Sequence, residues 1–136
     1  VRALEIVSAT GGPVPKLKPD SLYEVLKIGI RLPEKELARR IHARLRRRLP
    51  GIVKEIKKLR GSGISWKRLD ELGLEYRYVS RFLRGMLARK EMALVLENEI
   101  RRYAKRQMTW FKRDEGIKWI RRTSEANMLV NKFLGK

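Results

Sequence analysis

The 136-residue sequence has no cysteine and one histidine, His42. Without thiols, disulfides and thiolate metal sites are excluded, and the usage fits an intracellular, cytoplasmic protein. One imidazole cannot build a zinc site by itself. No apolar run approaches the ~18 residues of a membrane span, and no signal-peptide pattern opens the chain, so no membrane role is expected. Also missing are a catalytic carboxylate pair, a Ser/His/Asp set and a phosphate loop of the form G-x-x-x-x-G-K-[ST]. Catalytic machinery is not visible in these residues, and no metal ligands are expected among them.

Acidic residues are scarce as well: 15 Asp plus Glu stand against 34 Lys plus Arg, a formal net charge of +19. Such an excess repels itself in a compact chain and draws polyanions from about a Debye length away. Nucleic acid is the first partner it points to and an anionic membrane surface the second. With 43 % hydrophobic residues the chain is no disordered tail, and its length allows one modest core. Val1 rather than Met opens it, inside a helical pattern, and the expectation is a chain cut from something longer.

The most informative stretch runs from Arg101 to Arg113. At about 100° per residue, Arg101, Arg102, Lys105, Arg106, Lys112 and Arg113 share one arc of a helix. Ile100, Tyr103, Ala104 and Phe111 occupy the opposite side and are expected to pack. Acidic i, i+4 partners are nearly absent between Arg101 and Arg113, and like charges so spaced destabilise a helix. A face of this kind implies an anion to set against it. Gln107 falls in the apolar arc, as a buried amide or a contact to a base edge. Trp110 borders that arc, where a core position is the commoner fate and a base-stacking platform the alternative.

The rest of the chain reads as mainly α. Val1–Ala9 is the end of an amphipathic helix closed by Thr10-Gly11-Gly12-Pro13, and 14–22 is a loop holding Pro15 and Pro19. Tyr23–Leu32 alternates as a strand in need of a sheet. Pro33, with Glu34 and Glu36, starts a helix whose stripe is Leu37, Ile41, Leu45 and Leu49. Pro50-Gly51 is expected to break or sharply kink it before Ile52–Leu59 continues. After Gly61-Ser62-Gly63, Ser65 caps a short helix that Gly73 ends, and Tyr76–Leu83 forms another that stops at Gly85. Lys90–Lys112 is the long helix, Ile117–Ile120 a short strand and Glu125–Leu134 a terminal helix.

Two further groups of cations stand out. Arg77, Arg81 and Arg84 recur at i, i+4, i+7 beside Tyr76 and Tyr78, a pattern suited to loop RNA, where bases stack and backbones are clamped. Arg39, Arg40, Arg44, Arg46, Arg47 and Arg48 spread around most of their helix, so some are expected to snorkel around a core element. His42 borders the apolar stripe and is expected to be a partly buried packing residue.

The run Arg101-Arg102-Tyr103-Ala104-Lys105-Arg106-Gln107-Met108-Thr109-Trp110-Phe111-Lys112-Arg113-Asp114, with Ile117-Lys118-Trp119, resembles the C-terminal signature of bacterial-type tRNA dimethylallyltransferases. Three other stretches are similar in the family's order: Arg2-Ala3-Leu4-Glu5 with Thr10-Gly11 and Pro13, Ile28-Gly29-Ile30 with Arg31, and Leu74-Glu75-Tyr76-Arg77 with Leu83 and Gly85. Together they cover the chain to about Ile120. Glu75 and Gly12 depart from the family's usual glycine and lysine, and Pro50-Gly51 replaces a longer helical connection.

The resemblance implies the helical C-terminal part of a P-loop α/β transferase, with one or two short strands that would join the parent sheet. The expected parts are 1–32, the end of the α/β core; 33–120, a basic tRNA-binding part; and 121–136, a terminal helix and tail. It further implies transfer of a dimethylallyl group from dimethylallyl diphosphate to the exocyclic amine of the adenosine 3′ of the anticodon, after that base is flipped out. Mg2+, the diphosphate loop and the general-base aspartate would belong to a missing N-terminal half, in the same or another chain. Residues implied to touch the tRNA anticodon stem-loop are Arg2, Tyr76, Arg77, Arg81, Arg101, Arg102, Lys105, Arg106, Gln107, Thr109, Trp110 and Lys112. The rival reading is a stand-alone basic helical module for RNA or DNA, without catalytic activity.

Overall fold

The computed structural model describes residues 2–14 and 23–135, with the backbone alone at Arg2 and Ala3. The expected loop around Pro15 and Pro19 lies outside the described residues. Among the described ones the chain is mostly helical, with two short parallel strands. In chain order these are α1 (Arg2–Thr10), β1 (Lys27–Ile30), α2 (Glu34–Gly61), α3 (Trp66–Glu71), α4 (Leu74–Leu83), α5 (Arg89–Phe111), β2 (Ile117–Ile120) and α6 (Ser124–Phe133).

The core lies between α2, α3, α4 and α5. From α2 come Ile41, Leu45, Leu49, Ile52 and Ile56; Leu69, Val79, Met92, Leu96 and Ile100 close it from the other three helices. The expected break at Pro50 does not occur: α2 runs through it for 28 residues. Proline in a helix interior costs about 3 kcal/mol, because it cannot donate to the carbonyl one turn back. Burying each of Ile52 and Ile56 returns about 1.5–3 kcal/mol, and both share the face of Leu45 and Leu49 only if the helix continues. Pro50 itself is exposed, so its ring disturbs no packing. Burial wins.

The short helices end where their chemistry dictates. The Ser65 hydroxyl accepts from the Arg68 N–H at 3.1 Å, capping α3. Gly85 takes φ 75° after α4, its N–H bonding the Phe82 carbonyl at 2.9 Å while the Met86 N–H bonds that of Arg81 at 2.9 Å. This paired closure favours glycine at the left-handed position.

The expected strand over Tyr23–Leu32 is real but shorter, and its partner is the other expected strand. β1 and β2 pair in parallel, Lys27 opposite Ile117 and Ile30 opposite Ile120. Gly29 faces Trp119, and a Cβ there would lie 2.7 Å from the indole ring and 2.8 Å from Ile117 Cγ2. Only glycine lets that ring lie against the strand. Lys27 Nζ and Asp114 Oδ2 sit 2.7 Å apart at the entry to the pair. Among the described residues the sheet has just these two strands, and α6 buries none of its residues.

Candidate nucleic-acid interface

The N–H of Ala88, at the start of α5, donates to Glu91 Oε2 at 3.4 Å, and Met92, Leu96 and Ile100 then anchor one side of the helix in the core. That anchoring turns Lys105, Arg106, Gln107, Thr109 and Trp110 to solvent. Arg101 and Arg102 are not free cations. Arg101 Nη2 meets Glu97 Oε1 at 2.5 Å, and Arg102 Nη1 meets Glu99 Oε1 at 2.6 Å. Both carboxylates lie just upstream of the basic run, at ordinary i, i+4 and i, i+3 spacing, so scanning within 101–113 overlooks them. For Lys105, Arg106, Lys112 and Arg113 no carboxylate stands within ion-pair distance among the described residues. The Arg106 guanidinium lies 5.9 Å from the centroid of Tyr103. Because α5 ends at Phe111, Lys112 caps it and Arg113 lies in the turn beyond.

The expected apolar side narrows toward the end of the helix. Ile100 is buried and Ala104 packs against the core, but Tyr103 and Phe111 are exposed. Gln107 is exposed, which removes the buried-amide alternative. Trp110 is 65 % exposed, so it is no core residue, and Phe111 meets it edge-on at 5.0 Å and 84°. The reason is positional: the buried positions of α5 end at Ile100, and Ala104 is the last of its residues to pack against the core.

Two hollows flank this face. The larger, about 790 Å³, opens at the C-terminal ends of both strands, between Arg31 and Arg121 on the sheet side, Pro33 and Glu34 at the start of α2, and Met108 of α5. The smaller, about 420 Å³, is lined by Arg102, Lys105, Arg106, Thr109, Trp110 and Arg113. Arg102 and Lys105 border both and form the ridge between them. Thr109 Oγ1 donates to the Lys105 carbonyl at 3.1 Å, fixing its side chain against the helix. Arg31 and Arg121 join the cationic surface only because the strands pair, a placement that local sequence pattern does not reveal.

The α4 residues lie elsewhere and line neither hollow. Tyr76 donates from its hydroxyl to Glu55 Oε1 at 2.9 Å, and that bond to a carboxylate is the main reason its phenol titrates above the usual range. Arg77 Nε donates to the Asp70 carbonyl at 3.1 Å. Arg81 stacks 5.2 Å from the Tyr78 ring centroid, and Arg84 reaches Asp70 Oδ2 at 3.9 Å. The side chain of Arg2 lies outside the described residues. Arg39, Arg40, Arg44, Arg46, Arg47 and Arg48 are all exposed, so none snorkels into the core.

His42 is 54 % exposed rather than partly buried, with Nδ1 2.8 Å from Glu97 Oε2. Glu97 thus links α2 to Arg101. The hydrogen bond with His42 is the largest influence holding its carboxyl below the usual range, with Arg101 adding to it and burial opposing. Among the described residues no three of His, Asp or Glu gather to hold a metal ion, so this surface offers Mg2+ no carboxylate cage. No described helix is long and apolar enough to cross a membrane. What the surface can do chemically is bind anions.

Comparison with known proteins finds relatives over most of this chain. A tRNA dimethylallyltransferase 2 of Pelobacter propionicus is 42 % identical over 131 residues, covering 88 % of this chain and 40 % of the relative. One from Trichlorobacter lovleyi is 45 % identical over 116 residues, covering 85 % and 38 %. The full-length tRNA isopentenylpyrophosphate transferase of Bacillus halodurans superposes with a TM-score of 0.75 at 29 % identity, over 98 % of this chain and 43 % of that one. The chain therefore spans about two fifths of the length of these relatives. With residues 1–114 matched by the family described as IPP transferase, the chain belongs to that family.

Proposed function

We propose that this chain is the RNA-gripping portion of a tRNA dimethylallyltransferase, closing on the anticodon stem-loop while a P-loop portion carries out the transfer. The prenyl group would pass from dimethylallyl diphosphate to the exocyclic amine of the adenosine 3′ of the anticodon, in the cytoplasm. The diphosphate, its Mg2+ and the general base would be held by that other portion, supplied in the same polypeptide or by another. Residues 33–120 would form the grip, with 1–32 joining the parent sheet and 121–136 a terminal appendage.

The observation that carries this reading is the cationic end of α5: Lys105, Arg106, Lys112 and Arg113 without carboxylate partners among the described residues. Unpaired cations clustered on a folded surface repel one another, and phosphates relieve that repulsion. Arg101 and Arg102, held by their glutamates, would position rather than neutralise. Gln107 and Thr109 stand beside the cations, where they would reach base edges or ribose, and Tyr76, Arg77, Arg81 and Arg2 would contribute from outside the ridge.

The test is binding of the 136-residue chain to an anticodon stem-loop and to random duplex DNA across a salt series. Four neutralised phosphates give a log–log slope of about −2.8 to −3.6, with tighter binding to the stem-loop and no prenyl transfer. A flat slope refutes the grip. Equal affinity for the duplex replaces it with a general nucleic-acid module.

A further inference from the structure

The outward face of α2 carries a second cationic surface that a grip at the end of α5 does not use. At about 100° per residue, Arg39, Arg46 and Lys57 follow one edge of an arc, and Arg47, Lys54 and Lys58 follow the other. The arc lies opposite the buried stripe that runs from Ile41 to Ile56, and all six cations are exposed. None of them has a carboxylate within ion-pair distance among the described residues. Arg40 and Arg48, by contrast, are held by Glu36 and Glu75. Between the two edges the helix presents Ala43 and Pro50, both short and exposed. Because α2 continues through Pro50, the six stand on one unbroken helix, and from Arg39 to Lys58 they extend about 28 Å. Lys54 repels Lys57 and Lys58 at i, i+3 and i, i+4, spacings at which like charges destabilise a helix.

We propose that this track seats a double-helical RNA, a molecule separate from the stem-loop at α5, with its phosphates along the two edges. Only the choice of RNA as the polyanion rests on the reading above; the surface and its ligand are additional to it. The track lines neither hollow and lies on the side of α2 turned away from α4 and α5. A short stem-loop seated at the end of α5 therefore does not reach it. Its chemistry selects the ligand. α2 contains no Phe, Tyr or Trp, so the track gives open bases nothing to stack on, whereas a duplex keeps its bases hidden. No bulky apolar side chain is exposed on α2, and a helix lying on a bilayer requires such side chains. A duplex also matches a rigid row, since it presents one charge per roughly 1.7 Å of axis and one turn covers about 34 Å. The arginine forks of the track suit phosphate oxygens, which they bind in pairs.

The experiment uses the 136-residue chain, an immobilised anticodon stem-loop and a labelled RNA duplex of about 16 base pairs. A stem of about five pairs spans roughly 17 Å at about 3.4 Å per pair, too short to cover the track. The wild-type chain is expected to retain the duplex on the stem-loop surface as a ternary complex. Arg46→Gln/Arg47→Gln should lower the salt slope for the duplex by about 1.8 and weaken its Kd about 60-fold at about 0.1 M salt. The same variant should keep its stem-loop Kd within about twofold. Its circular dichroism should match wild type, since both side chains are exposed and neither has a carboxylate partner among the described residues. Displacement of the duplex by free stem-loop, mole for mole, overturns the track without relying on any variant. An unaltered duplex Kd in Arg46→Gln/Arg47→Gln overturns it as well. Poly-glutamate of equal charge competing as well as the duplex overturns it in favour of an acidic protein. Lys105→Gln/Arg106→Gln keeps the two readings apart. Unchanged stem-loop binding there sinks the grip, while a duplex Kd that responds only to the α2 variant upholds the track.

Discussion

Replacing Lys105 and Arg106 together by glutamine tests the grip most directly, because the structure separates its effect on binding from its effect on folding. Both side chains are exposed, and neither has a carboxylate partner among the described residues. Their removal breaks no ion pair, costing only the Arg106–Tyr103 contact, worth about 0.5–1 kcal/mol at an exposed site. Against that, the change relieves repulsion between Arg101 and Lys105 and between Arg102 and Arg106, roughly 0.2–0.5 kcal/mol for each i, i+4 pair. The melting temperature should therefore hardly move. Binding should fall steeply. Each phosphate contact contributes about 0.7–0.9 to the salt slope, so two lost contacts lower it by about 1.4–1.8. At about 0.1 M salt this corresponds to a Kd roughly 25- to 60-fold weaker. Fluorescence anisotropy with a labelled anticodon stem-loop, titrated at several salt concentrations, measures both quantities. An unchanged slope with an intact fold refutes the assignment of phosphates to this ridge.

The remaining expectations concern the fold that carries the ridge. Gly29→Ala forces a Cβ to within 2.7 Å of the Trp119 ring, so it should destabilise the strand pair by about 1–3 kcal/mol; urea unfolding followed by tryptophan emission reads this, and unchanged stability contradicts the close approach. Pro50→Ala restores a helical N–H on an exposed position and should stabilise the chain by about 2 kcal/mol, a gain absent if α2 is kinked there. Glu97, whose carboxyl titrates below its ordinary range, contributes stability above the unfolded carboxylate pKa, and that stability is lost as pH falls through the lower, folded value. His42→Ala removes the largest cause of the depression and should flatten the acid limb of the stability profile. An unaltered limb would show that the His42–Glu97 bond is not made in solution.

Helix ends were readable from local chemistry because they depend on a few neighbouring residues. Pro33 opens α2, Ser65 caps α3 and Gly85 closes α4, as expected from residue type alone. The continuity of α2 through Pro50 was not legible, for the opposite reason. Its local cost is real, but what offsets it is burial of Ile52 and Ile56 against helices far along the chain. The basic arc of α5 was legible in its periodicity, whereas the fates of Tyr103, Phe111 and Trp110 were not. Periodicity identifies a face and says nothing about whether another element covers it. His42 failed similarly, since its partner Glu97 sits 55 residues away on another helix.

Composition and spacing by themselves determined that this chain is a mainly helical polycation with a core stripe and a cationic face on its long helix, since charge and helical period are properties of adjacent residues. Tertiary structure decided that Glu97 of α5 also meets His42 of α2, that the two strands pair over Gly29, and that Trp110 stays open beside its cations. Those outcomes depend on which elements meet across the chain and at what angle, and packing alone sets that.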